Sequence, residues 1–121
     1  MELTEFVLFE ELSSALIYAS TINFKKATWQ RLEKPKKVYV YLDKSTQSLL
    51  IKKCPVGDEK GINIHLLKTN IRIVSKELTD QLREIMNCNE NNITIKGKWD
   101  EELKGVLFKL KPISKTQTTS F

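Results

Sequence analysis

The sequence predicts a small α+β protein, a β-barrel or β-sandwich built from two β-α-β-β repeats, with short helices at about 25–33 and 75–87. Three observations predict it. The chain has 121 residues, 40% of them hydrophobic, with only four Gly and three Pro, which fits one domain with its own core. Apolar residues alternate with polar ones along several short runs, a pattern typical of half-buried strands. The order of strand, helix and hairpin occurs twice along the chain.

Two short apolar runs, at 6–9 and 15–18, lie on either side of a polar stretch. On a helical wheel their apolar residues surround the axis instead of forming one stripe, so we predict two short strands. Ile22 and Phe24 then alternate with polar neighbours and predict a further strand. The helix at 25–33 follows and ends before a proline, which cannot continue it.

The clearest hairpin lies between residues 38 and 53. Its first strand alternates apolar side chains with polar and aromatic ones, a polar turn follows at 44–47, and a second apolar run completes it. The segment 54–61 combines one proline and two glycines with charged side chains, which is typical of turns.

The second half repeats this order. Alternation predicts strands at 62–66 and 70–73. Ser75 is a suitable N-cap for a helix whose apolar residues, starting at Leu78, recur at i, i+4, i+7 and i+8. Asparagines end this helix, because they tolerate left-handed backbone and compete for helical hydrogen bonds. A second hairpin is predicted between residues 93 and 110, with its connection at 98–105.

Neither half can cover its own apolar face, so we expect them to share one core, although small β-α-β-β units also resemble one another by chance. The halves 1–54 and 62–111, joined by the turn-rich segment 54–61, are predicted to form a single domain, 1–111. The polar tail at 112–121 is expected to be mobile. The expected core residues are Val38, Val40, Leu42, Ile51, Ile73, Leu78, Leu82, Ile93, Ile95, Val106 and Phe108.

Charge is unevenly distributed along the chain, whose net charge is +5. The first twenty residues carry four acidic side chains and no basic one, whereas basic character starts at Lys25. Seventeen of the twenty basic residues are lysines. Lysine suits phosphate backbones or acidic proteins, while reading of base edges favours the planar fork of arginine. A surface that serves solubility alone is the other interpretation.

The densest basic cluster occupies thirteen residues around the first predicted helix and its exit. Such a density attracts phosphates or an acidic protein. Tyr39 and Tyr41 share a strand face with Lys37, where they either stack on bases of a single strand or form the second buried face of a central strand. The candidate binding residues are Lys25, Lys26, Arg31, Lys34, Lys36, Lys37, Tyr39 and Tyr41.

Residues 21–53 resemble the AbrB/MazE/SpoVT swapped-hairpin domain, and residues 70–110 resemble it more weakly. Ile22, Phe24 and Leu32 match apolar positions of that family, and the two strands of the 38–53 hairpin match its hairpin. The resemblance implies a fold in which two β-α-β-β units must pair, which relatives achieve as dimers and this chain can satisfy internally.

Several positions depart from the family pattern. The family's Pro after the first strand is Lys25 here, its Gly after the helix is Glu33, and the Arg often found in the helix is Trp29. The preceding strand, where the family places further DNA-contacting bases, is acidic in this chain. The resemblance therefore implies the fold and the pairing more strongly than it implies DNA binding. The whole pattern is also similar to small prophage-type proteins.

Motifs for catalysis or metal binding are missing from the sequence. His65 lies in an apolar strand pattern and is expected to be structural, and the carboxylates at 100–102 are expected in a solvated turn. Cys54 and Cys88 stand far apart, which favours neither a disulfide framework nor a zinc site. We expect no enzyme, no catalytic or metal site and no cofactor.

The predicted function is that of a small non-enzymatic regulator that binds nucleic acid, in particular DNA. The alternative is a phage or mobile-element protein that binds and inhibits or adapts a host defence protein with an acidic or nucleic-acid-binding surface. No apolar run approaches the roughly 18 residues of a membrane span, and no basic region of a secretory signal occurs at the N-terminus. We therefore expect a cytoplasmic location, in the host cytoplasm if a phage encodes the protein, and no membrane partner.

We also expect a homodimer. Phe6, Leu8, Leu16 and Tyr18 exceed what a small closed barrel needs, and exposed they would form a patch prone to association.

Overall fold

The computed structural model describes residues 12–111, which form a nearly closed, barrel-like sheet of antiparallel strands with two short helices. The prediction of a small β-barrel with short helices is confirmed at this level. The predicted strand at 6–9, the acidic residues before Leu12 and the tail at 112–121 lie outside the described residues. The elements are β1 Leu12–Ile17, β2 Thr21–Lys25, α1 Lys26–Arg31, β3 Lys37–Asp43, β4 Ser48–Lys53, β5 Ile62–Asn63, β6 His65–Leu66, β7 Asn70–Val74, α2 Lys76–Met86, β8 Ile93–Asp100 and β9 Gly105–Lys109.

The order of neighbours in the sheet is β5-β3-β4-β9-β8-β1-β2-β7-β6. Only Ile64 separates β5 from β6, so the two ends of the sheet meet at this residue. The prediction of a single strand at 62–66 is therefore wrong in one respect. The segment forms two short strands, of which the first pairs with β3 and the second with β7. The segment changes its partner at Ile64, so β5 and β6 are only two residues long each. The backbone N–H of Ile64 itself donates a hydrogen bond to Lys36 O at 3.0 Å.

One hydrophobic core lies inside the sheet and contains residues of both halves, as predicted. Phe24 and Phe108 meet at its centre, with ring centroids 5.6 Å apart, and both are fully buried. Of the expected core residues, Val40 and Leu42 are only half-buried. They lie on the part of β3 that extends beyond its short pairing with β5.

Both predicted hairpins are present. The β3–β4 turn occupies 44–47 as predicted, whereas the β8–β9 turn occupies only 101–104 instead of 98–105. The difference arises because Trp99 and Asp100 pair with Val106 and Gly105 of β9, which keeps the backbone extended as far as Asp100. Similarly, β1 begins at Leu12, before the predicted run at 15–18, because β8 supplies backbone partners for residues 12–14.

The helices lie close to their predicted positions. Ser75 caps α2, since its Oγ accepts a hydrogen bond from the backbone N–H of Leu78 at 3.2 Å. The first helix ends at Arg31, two residues before the predicted end, because Glu33 and Lys34 adopt left-handed backbone with φ of 68° and 55°. Neither helix of the described region is long and apolar enough to cross a membrane.

Two further expectations concern single side chains. His65 is exposed on β6, and its expected structural role stays a prediction. Leu16 and Tyr18 are half-buried, and the other two residues behind the predicted homodimer, Phe6 and Leu8, lie outside the described range. The homodimer therefore stays a prediction.

Candidate nucleic-acid interface

A basic groove forms where the end of α1 meets the end of the β8–β9 hairpin. Residues 93, 95 and 97 of β8 are buried in the barrel, and the same alternation points Trp99 inward at the barrel end, where it is half-buried. Arg31, the last residue of α1, lies over the Trp99 ring with its guanidinium carbon 5.2 Å from the ring centroid. This distance is that of a cation–π contact.

The groove has a volume of about 330 Å³. Four of its side chains are basic and one is acidic, and Leu32 and the Trp99 ring supply its apolar floor. Its lining residues are Arg31, Leu32, Glu33, Lys52, Lys53, Trp99 and Lys104. We call this set the basic groove.

Strand pairing explains why Lys52 reaches the basic groove. Lys52 lies opposite Tyr39 on one side and opposite Gly105 on the other. A Cβ atom added to Gly105 would lie 2.8 Å from Lys52 Cγ and 2.6 Å from the carbonyl oxygen of Ile51. The absence of a side chain at Gly105 therefore leaves room for the Lys52 stem to cross β9.

Two surface ion pairs hold lysines of the basic groove. Lys53 Nζ lies 3.3 Å from Glu33 Oε1, and Lys104 Nζ lies 2.6 Å from Glu101 Oε1. Glu101 also accepts a hydrogen bond from Trp99 Nε1 at 2.7 Å. The bond from Lys104, and next the bond from Trp99, hold the pKa of Glu101 below its usual value. Both pairs are exposed to solvent, so each contributes little to stability.

The turn between α1 and β3 carries Lys34 and Lys36 past a second tryptophan. Trp29 Nε1 donates a hydrogen bond to Pro35 O at 2.9 Å, and Lys34 Nζ lies 5.9 Å from the centroid of the Trp29 ring. The Trp29 side chain thus holds this basic turn against α1.

Tyr39 and Tyr41 occupy the outer face of β3, because the neighbouring Val38 points into the core and side chains alternate along a strand. The Tyr39 hydroxyl donates a hydrogen bond to Asp58 Oδ2. This bond, followed by burial and the nearby Cys54 thiol, raises the pKa of Tyr39 above its usual value. The same bond, the backbone N–H of Lys60 and the charge of Lys37 lower the pKa of Asp58.

Tyr41 differs from Tyr39 in its exposure. Half of its surface, 50%, is open to solvent, and its ring centroid lies 6.1 Å from that of Tyr39. The interpretation of Tyr39 and Tyr41 as a second buried face is therefore wrong for Tyr41, since no described element covers β3 on that side. A depression of about 510 Å³ lies beside them, lined by Tyr39, Val40, Tyr41, Asp58, Lys60 and Ile62.

The structure distributes the sequence-predicted residues over three places. Arg31 lines the basic groove, with Lys34 and Lys36 on the turn that follows it. Tyr39 and Tyr41 lie beside the Asp58 depression, and Lys37 acts on Asp58 through its charge. At the other end of α1, Lys26 begins the helix and Lys25 lines a separate pocket of about 280 Å³ with residues of β1, β2, β7 and β8.

Sequence reasoning missed Lys52, Lys53, Trp99 and Lys104. The lysines lie far from the predicted cluster in sequence and join Arg31 only because β4 pairs with β9. One signal for Trp99 was available. It continues the alternation of Ile93 and Ile95 at even spacing, which predicts a core-facing strand position and not a turn.

No family model, curated protein or solved structure matches this chain. Within residues 12–111, no group of three His, Cys, Asp or Glu side chains is placed to hold a metal ion, and Cys54 and Cys88 are both free thiols.

Proposed function

We propose that this protein is a small non-enzymatic regulator that binds nucleic acid, DNA in particular, through the basic groove. The observation that carries the proposal is the convergence of four basic side chains from α1, β4 and the β8–β9 turn beside the Trp99 ring. Phosphate oxygens attract such lysines. When the lysines bind, they displace the counterions that surround the nucleic acid. Lysine adds a point charge without a fixed hydrogen-bonding fork, so the contacts position the backbone and read little sequence.

The arginines support binding without strong sequence preference, because each already has an internal contact. Arg31 packs over Trp99, and Arg72 Nε donates to Asn23 Oδ1 at 3.0 Å. Arg83 donates to the carbonyl oxygens of Glu90 and Asn91. Reading of guanine by a bidentate arginine needs a guanidinium that is directed at the ligand, and these three are directed at the protein.

We propose in addition that the barrel consists of two β-α-β-β repeats, as the resemblance to the swapped-hairpin family implies. The neighbours support this idea: β2 of the first half pairs with β7 of the second, and β4 pairs with β9. The β8–β9 hairpin of the second half lies between β4 and β1 of the first. Swapped hairpins of two units are expected to interleave in this way.

The two hairpin turns add local support for the repeat. Each begins after an aspartate whose Oδ1 accepts a hydrogen bond from the backbone N–H three residues later, from Thr46 to Asp43 and from Leu103 to Asp100. Each ends on a left-handed residue, with φ of 52° at Gln47 and 54° at Lys104. Two hairpins with the same turn length and the same left-handed last turn residue are expected of a duplicated unit.

A matched pair of charge reversals tests the proposed function. The first double variant, Lys52→Glu with Lys104→Glu, changes the basic groove. The second, Lys68→Glu with Lys76→Glu, makes the same change in net charge on the β6–β7 turn and on α2. Binding of a fluorescent oligonucleotide to each full-length variant is measured by anisotropy between about 50 and 200 mM salt.

We expect the groove variant to bind at least ~10-fold more weakly at low salt and to show a salt slope smaller by about one for each phosphate that it no longer binds. The control variant should retain most of the affinity and the slope. Equal losses in both variants would mean that net charge alone attracts the oligonucleotide. Absence of binding by the unaltered protein at 50 mM salt would contradict the function itself.

A further inference from the structure

The outer face of β3, β4, β9 and β8 carries a row of side chains that crosses four strands. Tyr41 lies opposite Leu50, Leu50 opposite Leu107, and Leu107 opposite Lys98. Their strand neighbours Val38, Ile51, Phe108 and Ile95 point into the core, so this row points outward. Leu50 and Leu107 are half-buried and Tyr41 is half-exposed.

Tyr39 supports the exposed ring of Tyr41. The two rings are 6.1 Å apart with an angle of 56° between their planes, and the hydrogen bond to Asp58 fixes the Tyr39 hydroxyl. Tyr41 thus presents an aromatic surface whose neighbour is already held in place. Less side-chain entropy remains to be lost when a flat ligand stacks on such a ring.

Lys52 connects this aromatic surface to the basic groove. It lies opposite Tyr39 in the β3–β4 pairing and also lines the groove beside Arg31 and Lys104. A nucleic-acid strand that runs along these residues contacts the cationic side chains of the basic groove first and the exposed ring of Tyr41 next. Alternation of phosphate-binding charge with a stacking ring is how proteins bind unpaired nucleic acid.

We propose that the nucleic acid bound here is single-stranded and that one of its bases stacks on Tyr41, while its phosphates follow Lys52 into the basic groove. This inference rests on the proposed function and names its substrate class. Every base has a flat face, so binding of this kind tolerates different sequences. This tolerance of sequence agrees with the arrangement of Arg31, Arg72 and Arg83, which contact the protein itself and are not directed at a base.

The helices argue against a duplex as the preferred ligand. Reading a major groove requires a helix or a ribbon that projects into it. The first helix has only six residues, about 9 Å of length, and buries Thr28. The second helix exposes three acidic side chains, Glu77, Asp80 and Glu84, against one exposed lysine, Lys76, which is paired with Asp80, so its surface is acidic on balance. In a duplex the bases are stacked on each other and out of reach of Tyr41 on a sheet face.

The acidic groups near the path are held by protein contacts. Asp58 binds the Tyr39 hydroxyl and the backbone N–H of Lys60, with Lys37 close by. Asp43 accepts hydrogen bonds from Ser45 and from the backbone N–H of Thr46. These hydrogen bonds and the charge of Lys37 therefore partly offset the repulsion between the two carboxylates and a phosphate.

Anisotropy with two probes tests the inference on the full chain: a labelled 12-nucleotide oligothymidine and a labelled 12-base-pair duplex. Three variants are compared with the unaltered protein. Tyr41→Leu keeps an apolar side chain against Leu50 but removes the ring, and Tyr41→Phe keeps the ring. Val74→Ala, at a β7 side chain with 54% exposure, is the matched control for removal of an exposed apolar group.

We expect the unaltered protein to bind the single strand more tightly than the duplex. Tyr41→Leu should weaken single-strand binding by roughly 5- to 150-fold, the range that one stacked base contributes. Duplex binding should change by less than about 2-fold, and both Tyr41→Phe and Val74→Ala should bind as the unaltered protein does.

Three results would overturn the inference. The first is equal or tighter binding of the duplex, and the second is a Tyr41→Leu variant that keeps full affinity for the single strand. The third is an equal decrease in affinity for both probes in that variant. In each case the charge reversals in the basic groove still report separately on whether nucleic acid is bound there.

Discussion

The guanidinium carbon of Arg31 lies 5.2 Å from the centroid of the Trp99 ring, and this contact joins the end of α1 to the end of β8. The two residues are far apart in sequence and belong to different halves of the chain. Arg31 also adds its charge to the environment of Glu101, whose pKa it helps to lower. One contact therefore links the position of the helix, the shape of the basic groove and its charge.

A double-mutant cycle should detect this link as a coupling free energy. We expect Arg31→Ala and Trp99→Leu together to destabilise the protein by less than the sum of the single changes, with a coupling of about 0.5–1 kcal/mol, typical of an exposed cation–π pair. Urea unfolding of the four proteins measures it. The same cycle with Lys26→Ala in place of Arg31→Ala serves as the control and should be additive within ~0.3 kcal/mol. Additivity in both cycles would mean that the Arg31 contact carries no energy.

Leu82 should be one of the most sensitive positions of the fold. It is fully buried on the inner side of α2 and belongs to the core that both halves share. Leu82→Ala removes this packing and leaves a cavity, so we expect a decrease of about 2–5 kcal/mol in the free energy of unfolding. Glu84→Ala, an exposed position of the same helix, should change it by no more than ~0.5 kcal/mol. Similar effects of the two substitutions in chemical denaturation would contradict the placement of α2.

Alkaline titration should identify the Tyr39–Asp58 bond. Because the pKa of Tyr39 is raised in the folded protein, its stabilising contribution is complete below the ordinary tyrosine value of 10.0 and is lost as the pH rises above it. Absorbance near 295 nm should show one tyrosine that ionises well above pH 10 and is missing in Tyr39→Phe. Asp58→Asn should move this step downward. An unchanged step in Asp58→Asn would show that the carboxylate does not cause it.

Acid titration should report on Glu101 through the fluorescence of Trp99. The lowered pKa of Glu101 means that its contribution is complete above the unfolded value of 4.5 and is lost as the pH falls through the lower folded value. In a Trp29→Phe background, we expect the emission of Trp99 to change with a midpoint below pH 4.5, because protonation weakens the bond to Trp99 Nε1. Glu101→Gln should remove the transition. Its persistence in that variant would assign it to another acid.

The local elements of this fold could be predicted from the sequence because nearby residues determine them. Ser75 is a side-chain cap three residues before Leu78, and the spacing of Leu78 and Leu82 places one face of α2 on the core. The polar turn between β3 and β4 likewise depends on Asp43 and its immediate neighbours. Prediction of these elements needed no knowledge of distant partners.

The basic groove could not be predicted because distant pairings create it. Lys52 joins Lys104 through the β4–β9 register, and Trp99 becomes a strand residue because it pairs with Val106 of β9. Tyr41 is exposed because no described element covers the outer face of β3. The alternation of side chains along a strand does not tell which outer faces are covered. The sequence cluster between Lys25 and Lys37 contained one side of the groove, and the other side came from residues 52–104.

The interleaved order of the strands has a consequence for synthesis of the protein on the ribosome. The first strand pairs with β8, so Ile17 cannot pair until Ile93, roughly 80 residues later in the chain, has been synthesised. At about 5–20 residues per second, translation separates these partners by ~4–16 s. During that interval β1 lacks the β8 neighbour that completes its backbone hydrogen bonds. We therefore expect that nascent chains stalled before β8 are bound by chaperones or cut by proteases, and that protection begins only after β9 has left the ribosomal tunnel.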